Sequence, residues 1–426
     1  MKNEKMRKEE RGITLVALVV TIVVLLILAG VSLNLVIGNE GILTRSKEAA
    51  DKYGKQAENE QQGLNDVEDW MDEQFEGTGI QKVTVNKKAT RNGTINGQDP
   101  NTNNPIIPKG YIPINAGSAT WGDGSSSPFQ SSVDNGLVIK DDNSNEWVWV
   151  PVELSTLSSM YVTSIKAEGE TISGNVGVTT KFYTNTTTIG KTGDTNTLPR
   201  GIPNTTSYRE PDLVTNYDKN ETYYKSTLGF DSSKAMAEAF IRDYTNMIAS
   251  IQKYGGFYIG RYELSNEGEQ KGKTALTNIN WYNLYKKCTT LNASDKVESK
   301  MIWGIQWDLA CDFISKKGEQ KSITNSTEWG NYSNSAGNAA VMDGTTKKYG
   351  SKQVTGFSEY WKANNIYDLA GNCWEWTQEA YNTYGHTIRG GTYGISGSTN
   401  PAYYRYYYSI YSGVDNYGSR STLIIK

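Results

Sequence analysis

The sequence predicts an α+β globular domain carried behind a long N-terminal helix, and three observations predict it. An apolar run fills residues 13–37, residues 38–75 continue it with dense charge at helical spacing, and the polar Gly-, Asn- and Tyr-rich remainder mixes short alternating strands with amphipathic helices. At 426 residues the chain is long for one domain, so one globular unit with added segments is expected.

The apolar run comes first. About 25 residues rising roughly 1.5 Å each cover roughly 37 Å, enough to cross a bilayer core. Ahead of it Lys2, Lys5, Arg7, Lys8 and Arg11 face three glutamates. The positive-inside rule keeps that end in the cytoplasm and exports the bulk of the chain. A secretory signal peptide fits poorly, because no small-x-small site closes the block. The expected location is a bacterial cell membrane, crossed once, with the C-terminal domain on the surface. Leu43, Ala50, Tyr53, Ala57, Leu64, Val67, Trp70 and Met71 then recur at helical spacing, which predicts a stalk helix to about Phe75.

Residues 77–106 turn to Gly, Asn, Thr and Pro and read as a spacer. The globular domain is expected over 107–426. Alternating apolar residues around the turn-rich DDNSN predict a hairpin within 136–152. Residues 155–225 read as a polar insertion. A helix is expected over 232–254, with Met236, Phe240, Met247, Ile248 and Ile251 on one face and Gly255 and Gly256 as its stop. A short strand follows, then helices near 281–291 and 305–315.

Composition narrows the function. Net charge is −3, which leaves no electrostatic footprint for nucleic acid. Cys288, Cys311 and Cys373 form no CxxC pair and read as small buried hydrophobes, with at most one disulfide. His386 is the only histidine, and one imidazole is a poor basis for a histidine metal triad or a Ser-His-Asp triad.

Two stretches carry family resemblances. Arg11-Gly12-Ile13-Thr14-Leu15 resembles the processing junction of type IV prepilins, which implies a leader over 1–12, cleavage between Gly12 and Ile13, and a transmembrane and stalk helix over 13–76. The glutamate this family carries at the fifth mature position is Ala17 here, which counts against regular filament packing. Further on, GFYIGRYEL, NINWYNLYKKC, GIQWDLACDF, NIYDLAGNCWEWTQE and IRGGTY occur in the order found in formylglycine-generating-enzyme-like domains. That resemblance implies a C-type-lectin-like fold over roughly 105–426. Its oxidase members place a cysteine pair after the motif that is Arg389–Tyr393 here, and no cysteine follows Cys373. Copper-thiolate chemistry needs soft sulfur ligands, so a scaffold without the catalyst, not an enzyme, is expected. The family also binds calcium near the GN-x-WEW motif. Asn372 and Glu375 match it, against the alternative of a hydrogen-bonded turn with buried Trp374 and Trp376.

The last stretch, residues 392–420, is dense in Tyr, Ser, Gly and Asn, the residues of antibody-like contact surfaces. A strand buries only alternate residues, so its tyrosines cannot all be core. Lys, Glu, Gln, Met and Trp are absent from it, although they make up roughly one residue in five of the chain. Codons ending in a pyrimidine cannot encode those five types. The stretch thereby resembles the variable region of diversity-generating retroelement proteins, which implies a diversified binding site: the ligand-binding positions are Tyr393, Tyr403, Tyr404, Tyr406, Tyr407, Tyr408, Ile410, Tyr411, Val414, Asp415, Asn416 and Tyr417, and the diversified positions are the same set with Gly413 in place of Tyr393. Arg389, Gly390, Gly391, Arg405, Gly418 and Arg420 are its expected framework. The function that follows is a surface receptor or adhesin for an extracellular protein, glycan or phage ligand. A structural pilin-like subunit in a pilus-like assembly is the second reading, and a formylglycine-generating oxidase is the third.

Overall fold

The computed structural model describes residues 20–26, 80–114, 133–160, 222–292, 294, 296–382 and 385–426. Contacts divide the chain into two units, Met1–Thr78 and Gly79–Lys426. In the first, residues 20–26 are helical and exposed. The leader, the Gly12–Ile13 junction and the stalk lie outside the described residues, as does most of the polar insertion. Among the described residues no helix is long and apolar enough to cross a membrane.

The second unit is a mixed α/β structure built on two sheets. Ten strands form them: β1 (Ile112–Ile114), β2 (Val138–Lys140), β3 (Glu146–Pro151), β4 (Gly256–Gly260), β5 (Val297–Met301), β6 (Trp374–Asn382), β7 (Gly385–Arg389), β8 (Arg405–Ser409), β9 (Tyr417–Ser419) and β10 (Ser421–Ile425). The larger sheet is antiparallel throughout, in the order β1-β2-β3-β4-β10-β5. The smaller runs β8-β7-β6-β9, with β9 parallel to β6. Arg420 is the single residue between β9 and β10, so it joins one sheet to the other.

The period-2 pattern of β3 divides the interior. Val148 and Val150 enter the main core with the helices, while Trp147 and Trp149 face a second core with Tyr258, Leu423 and Ile425. That second core is closed by Val83, Ala89, Ile95, Ile106 and Ile107. Tyr258 donates to the Ile106 carbonyl at 2.9 Å, and the Trp149 indole donates to the Thr102 carbonyl at 3.2 Å. The spacer expected over 77–106 is therefore packed structure from residue 80 onward. Its apolar residues sit singly between turns with no period of 2 or 3.6, so the sequence pattern did not mark them as core.

The helices are α1 (Leu154–Met160), α2 (Ser233–Tyr254), α3 (Trp281–Thr289) and α4 (Gly304–Lys316). Helix α2 starts where the Ser232 hydroxyl accepts from Ala235 N, and it stops at Gly255 with φ 78°. Its Met236, Phe240, Tyr244, Met247 and Ile251 form one buried stripe. Asn280 caps α3 by accepting from Asn283 N. These three longer helices and the 138–151 hairpin agree with the periodicity of the sequence.

Candidate functional site

Strand β8 is the edge of the smaller sheet and pairs on one side with β7, Tyr406 opposite Ile388 and Tyr408 opposite His386. Its five residues read buried, exposed, exposed, exposed, half-buried. Tyr406, Tyr407 and Tyr408 are 45%, 37% and 38% exposed, so three consecutive side chains are open to solvent. Regular alternation would place adjacent side chains on opposite faces, but at this edge the Tyr406 and Tyr407 rings lie together.

The rings form a band made of two groups. Tyr406 stacks on Tyr407 with centroids 5.4 Å apart, and Tyr406 and Tyr404 each lie against Trp374 at 6.3 and 6.2 Å. Tyr408 meets Tyr417 edge-on at 4.9 Å, and Tyr417 in turn rests on Trp376. Burial pushes the Tyr417 phenol up to about 12, with Tyr408 and Tyr406 adding to the shift. Tyr393 is raised by burial and by the neighbouring charge of Asp415.

The structure sorts the sequence-derived positions. Tyr406, Tyr407, Tyr408 and Asp415 are exposed, and Tyr393, Tyr404, Tyr411, Val414 and Asn416 are half-buried. Tyr403, Ile410 and Tyr417 are buried in the main core at 6%, 1% and 9% exposure, so they support the surface more than they form it. Gly413 is exposed, yet a β-carbon there would come within 2.5 Å of the Asn278 backbone. This position is held by close packing and is not open to free substitution. Trp374, six per cent exposed beneath Tyr404 and Tyr406, belongs to the band, although composition gave it no distinguishing signal.

Beneath the band lies a buried ionic lattice. The Asp308 carboxylate of α4 accepts from Arg389 with one oxygen and from Arg405, at 2.8 Å, with the other. Arg405 Nε also reaches the Glu379 carboxylate at 2.8 Å. All four groups are at most 3% exposed. Burial disfavours the Arg405 cation, but Asp308 and Glu379 outweigh it and raise its pKa. Arg389 further donates to the carbonyls of Tyr403 and Tyr404 at 3.0 and 3.2 Å. The lattice thus fixes the backbone that leads into β8. Good geometry and full pairing are what make such a buried group tolerable.

A second lattice surrounds Arg420. Its guanidinium pairs with both oxygens of Glu375 and donates to the Gly260 and Tyr367 carbonyls, each at 3.0 Å. Glu263, Glu269 and Asp368 are buried nearby. Asn372 donates to Glu263 and accepts from Asn331 and from Gln353 N, both at 3.0 Å. The oxygens of Asn372 and Glu375 are thereby taken up in an intramolecular network. Among the described residues no group of three or more His, Cys, Asp or Glu is placed to hold a metal. Cys288, Cys311 and Cys373 are buried and unbridged.

Burial pushes the Glu269 carboxyl up to about 8 and Asp368 up to about 7. Glu269 Oε2 has no partner among the described residues, which fits a protonated acid. The folded state then binds protons that the unfolded chain, with ordinary carboxyls near 4.5 and 3.8, has released. This contribution is full below the ordinary values and is lost as pH rises through 7 and 8. Thermal stability is expected to fall between about pH 5 and 8, each extra bound proton contributing up to ~1.4 kcal/mol per pH unit. Glu269→Gln should flatten the slope, and a melting temperature that climbs across this window would refute the assignment.

No protein-family model matches the chain, and no curated protein matches it. Among solved structures it is similar to Treponema denticola variable protein 1, at a TM-score of 0.29 and 13% identity over 40% of this chain and 85% of that one. It is also similar to PvdO from Pseudomonas aeruginosa, at a TM-score of 0.26 and 14% identity over 40% of this chain and 81% of that one.

Proposed function

We propose that this chain is a membrane-anchored, surface-displayed ligand-binding protein, and that the aromatic band on and around β8 is its binding site. The observation that carries the reading is the row of three exposed tyrosines on an edge strand whose entry is fixed by a buried ionic lattice. Tyrosine brings a large rigid contact area with one polar tip and little entropy to lose, which suits recognition. Display outside the cell is supported by the apolar run at 13–37 and the basic residues before it.

Diversification of the stretch is part of the proposal. The exposed or half-buried positions Tyr404, Tyr406, Tyr407, Tyr408, Tyr411, Val414, Asp415 and Asn416 would vary, while Arg389, Arg405, Arg420 and Gly413 would not. Sibling genes with changes spread evenly over the whole domain would contradict it.

The binding claim is tested with a displayed peptide library and a glycan array, both screened on the full chain in detergent. Tyr406→Ser, Tyr407→Ser and Tyr408→Ser combined should weaken the selected binders by about a hundredfold. The melting temperature should stay within a few degrees, because exposed residues far from core features contribute little. Binders that hold the triple variant as tightly as the parent would move the site elsewhere.

A further inference from the structure

The band does not end with the tyrosine-dense stretch. The π-helical turn Thr222–Thr227 lies far earlier in the sequence, yet its Tyr223 stacks on Tyr411 with centroids 6.1 Å apart and planes inclined by 25°. On its other side Tyr223 stacks on Tyr282 of α3 at 4.9 Å, the planes 3° from parallel. Tyr282 is fully buried, and Tyr223 and Tyr411 are half-buried, so the three rings lead from the core to the surface.

The turn that holds Tyr223 is anchored independently of the site. Tyr224 is buried in the main core, Phe230 meets Phe240 of α2 edge-on, and Leu228 N donates to the Tyr223 carbonyl at 3.0 Å. Single π-helical turns distort the regular ladder and occur often at functional sites. Here the distortion places consecutive tyrosines in two roles, Tyr224 inward and Tyr223 toward the band.

We propose that Tyr223 is a specificity-determining residue of the same binding face, a fixed aromatic wall against which the residue at position 411 and the ligand are set. This rests on the reading of the band as the binding site. The ring at 411 belongs to the stretch read as diversified, and Tyr223 lies outside it. A flat side chain at 411 stacks on Tyr223 and shares its contact area with the ligand, whereas a small one leaves the Tyr223 ring for the ligand alone. Choice at 411 then changes which part of a partner is gripped, with no change in the frame.

The test uses binders selected on the full chain from the displayed peptide library. Tyr223→Leu keeps apolar volume but removes the ring, and Tyr223→Phe keeps the ring. The expected result is a loss of about tenfold or more for Tyr223→Leu, recovery to within about threefold for Tyr223→Phe, and unchanged far-ultraviolet dichroism in both. The loss should also depend on position 411, being larger when Tyr411 is replaced by serine. Binders weakened by the triple change at Tyr406–Tyr408 but indifferent to Tyr223→Leu would overturn this inference and leave the binding reading standing. Binders indifferent to both sets of changes would overturn both. A Tyr223→Leu loss matched by an equal loss of folded protein, with no effect in Tyr223→Phe, assigns the ring to stability alone and overturns it as well.

Discussion

Asp308→Ala should destabilise the globular unit by about 3–5 kcal/mol, because it leaves two buried guanidiniums facing each other with one carboxylate between them. In the native chain Asp308 accepts from Arg389 with one oxygen and from Arg405 with the other. Both arginines are essentially without solvent, so water cannot replace the lost partner. Asp308→Asn keeps the shape and one acceptor, and should recover only part of the loss, since a neutral amide does not balance two cations. The measurement is denaturant unfolding of each variant followed by tyrosine and tryptophan signals. A cost below about 1 kcal/mol for the alanine variant would show that the lattice is relaxed by other groups. Because Arg389 also holds the carbonyls of Tyr403 and Tyr404, binding should weaken more than the fraction of folded protein explains.

Arg420→Met is expected to be of similar size, and its effect should depend on pH. The guanidinium stands among four buried carboxylic groups, Glu263, Glu269, Asp368 and Glu375, all of them raised by burial. Arg420 lowers each of these values, so its removal drives the four further toward their protonated forms. The folded variant would hold extra protons over a wider range. Its stability deficit should therefore be smallest near pH 5 and grow toward pH 8, where it reaches about 3–5 kcal/mol. Melting curves of parent and variant at several pH values provide the check. A deficit that stays constant with pH would mean that Arg420 acts through its bonds to the Gly260 and Tyr367 carbonyls and not through its charge.

Parts of this architecture are legible in the chain itself. Helix α2 is legible through its apolar stripe and its Gly stop, and the structure adds the Ser232 cap, so local capping and burial favour the same state. The exposed tyrosines of β8 were readable for a simpler reason. Six tyrosines within nine residues exceed what one strand can bury, so some had to face outward. The packing of 80–107 was not readable, since its apolar residues are isolated between turns and gain meaning only against Trp147, Trp149 and Tyr258. Burial of Tyr403, Ile410 and Tyr417 was equally hidden, because composition cannot tell which ring of a cluster is underneath. Long-range partners were the hardest. Asp308 and Glu379 look like ordinary helix and strand acids, and only the fold brings them to Arg389 and Arg405. Tyr223 gave no local sign at all.

The one-residue link at Arg420 also bears on how the molecule is made. Strand β10 sits inside the larger sheet between β4 and β5, and β9 borders β6 in the smaller one. A ribosome that has reached residue 416 has supplied neither strand, so the larger sheet then has an open seam between β4 and β5 and the smaller one lacks its edge strand. Closure of the larger sheet waits for residues 421–425 and brings together segments separated by well over a hundred positions, as in Thr422 with Ile259, whereas β9 joins the much nearer β6, Tyr417 beside Trp374. Such non-local pairing is slow. The larger sheet of this domain is therefore completed only once residue 425 has been made, and until then the nascent chain presents the unpaired edges of β4 and β5.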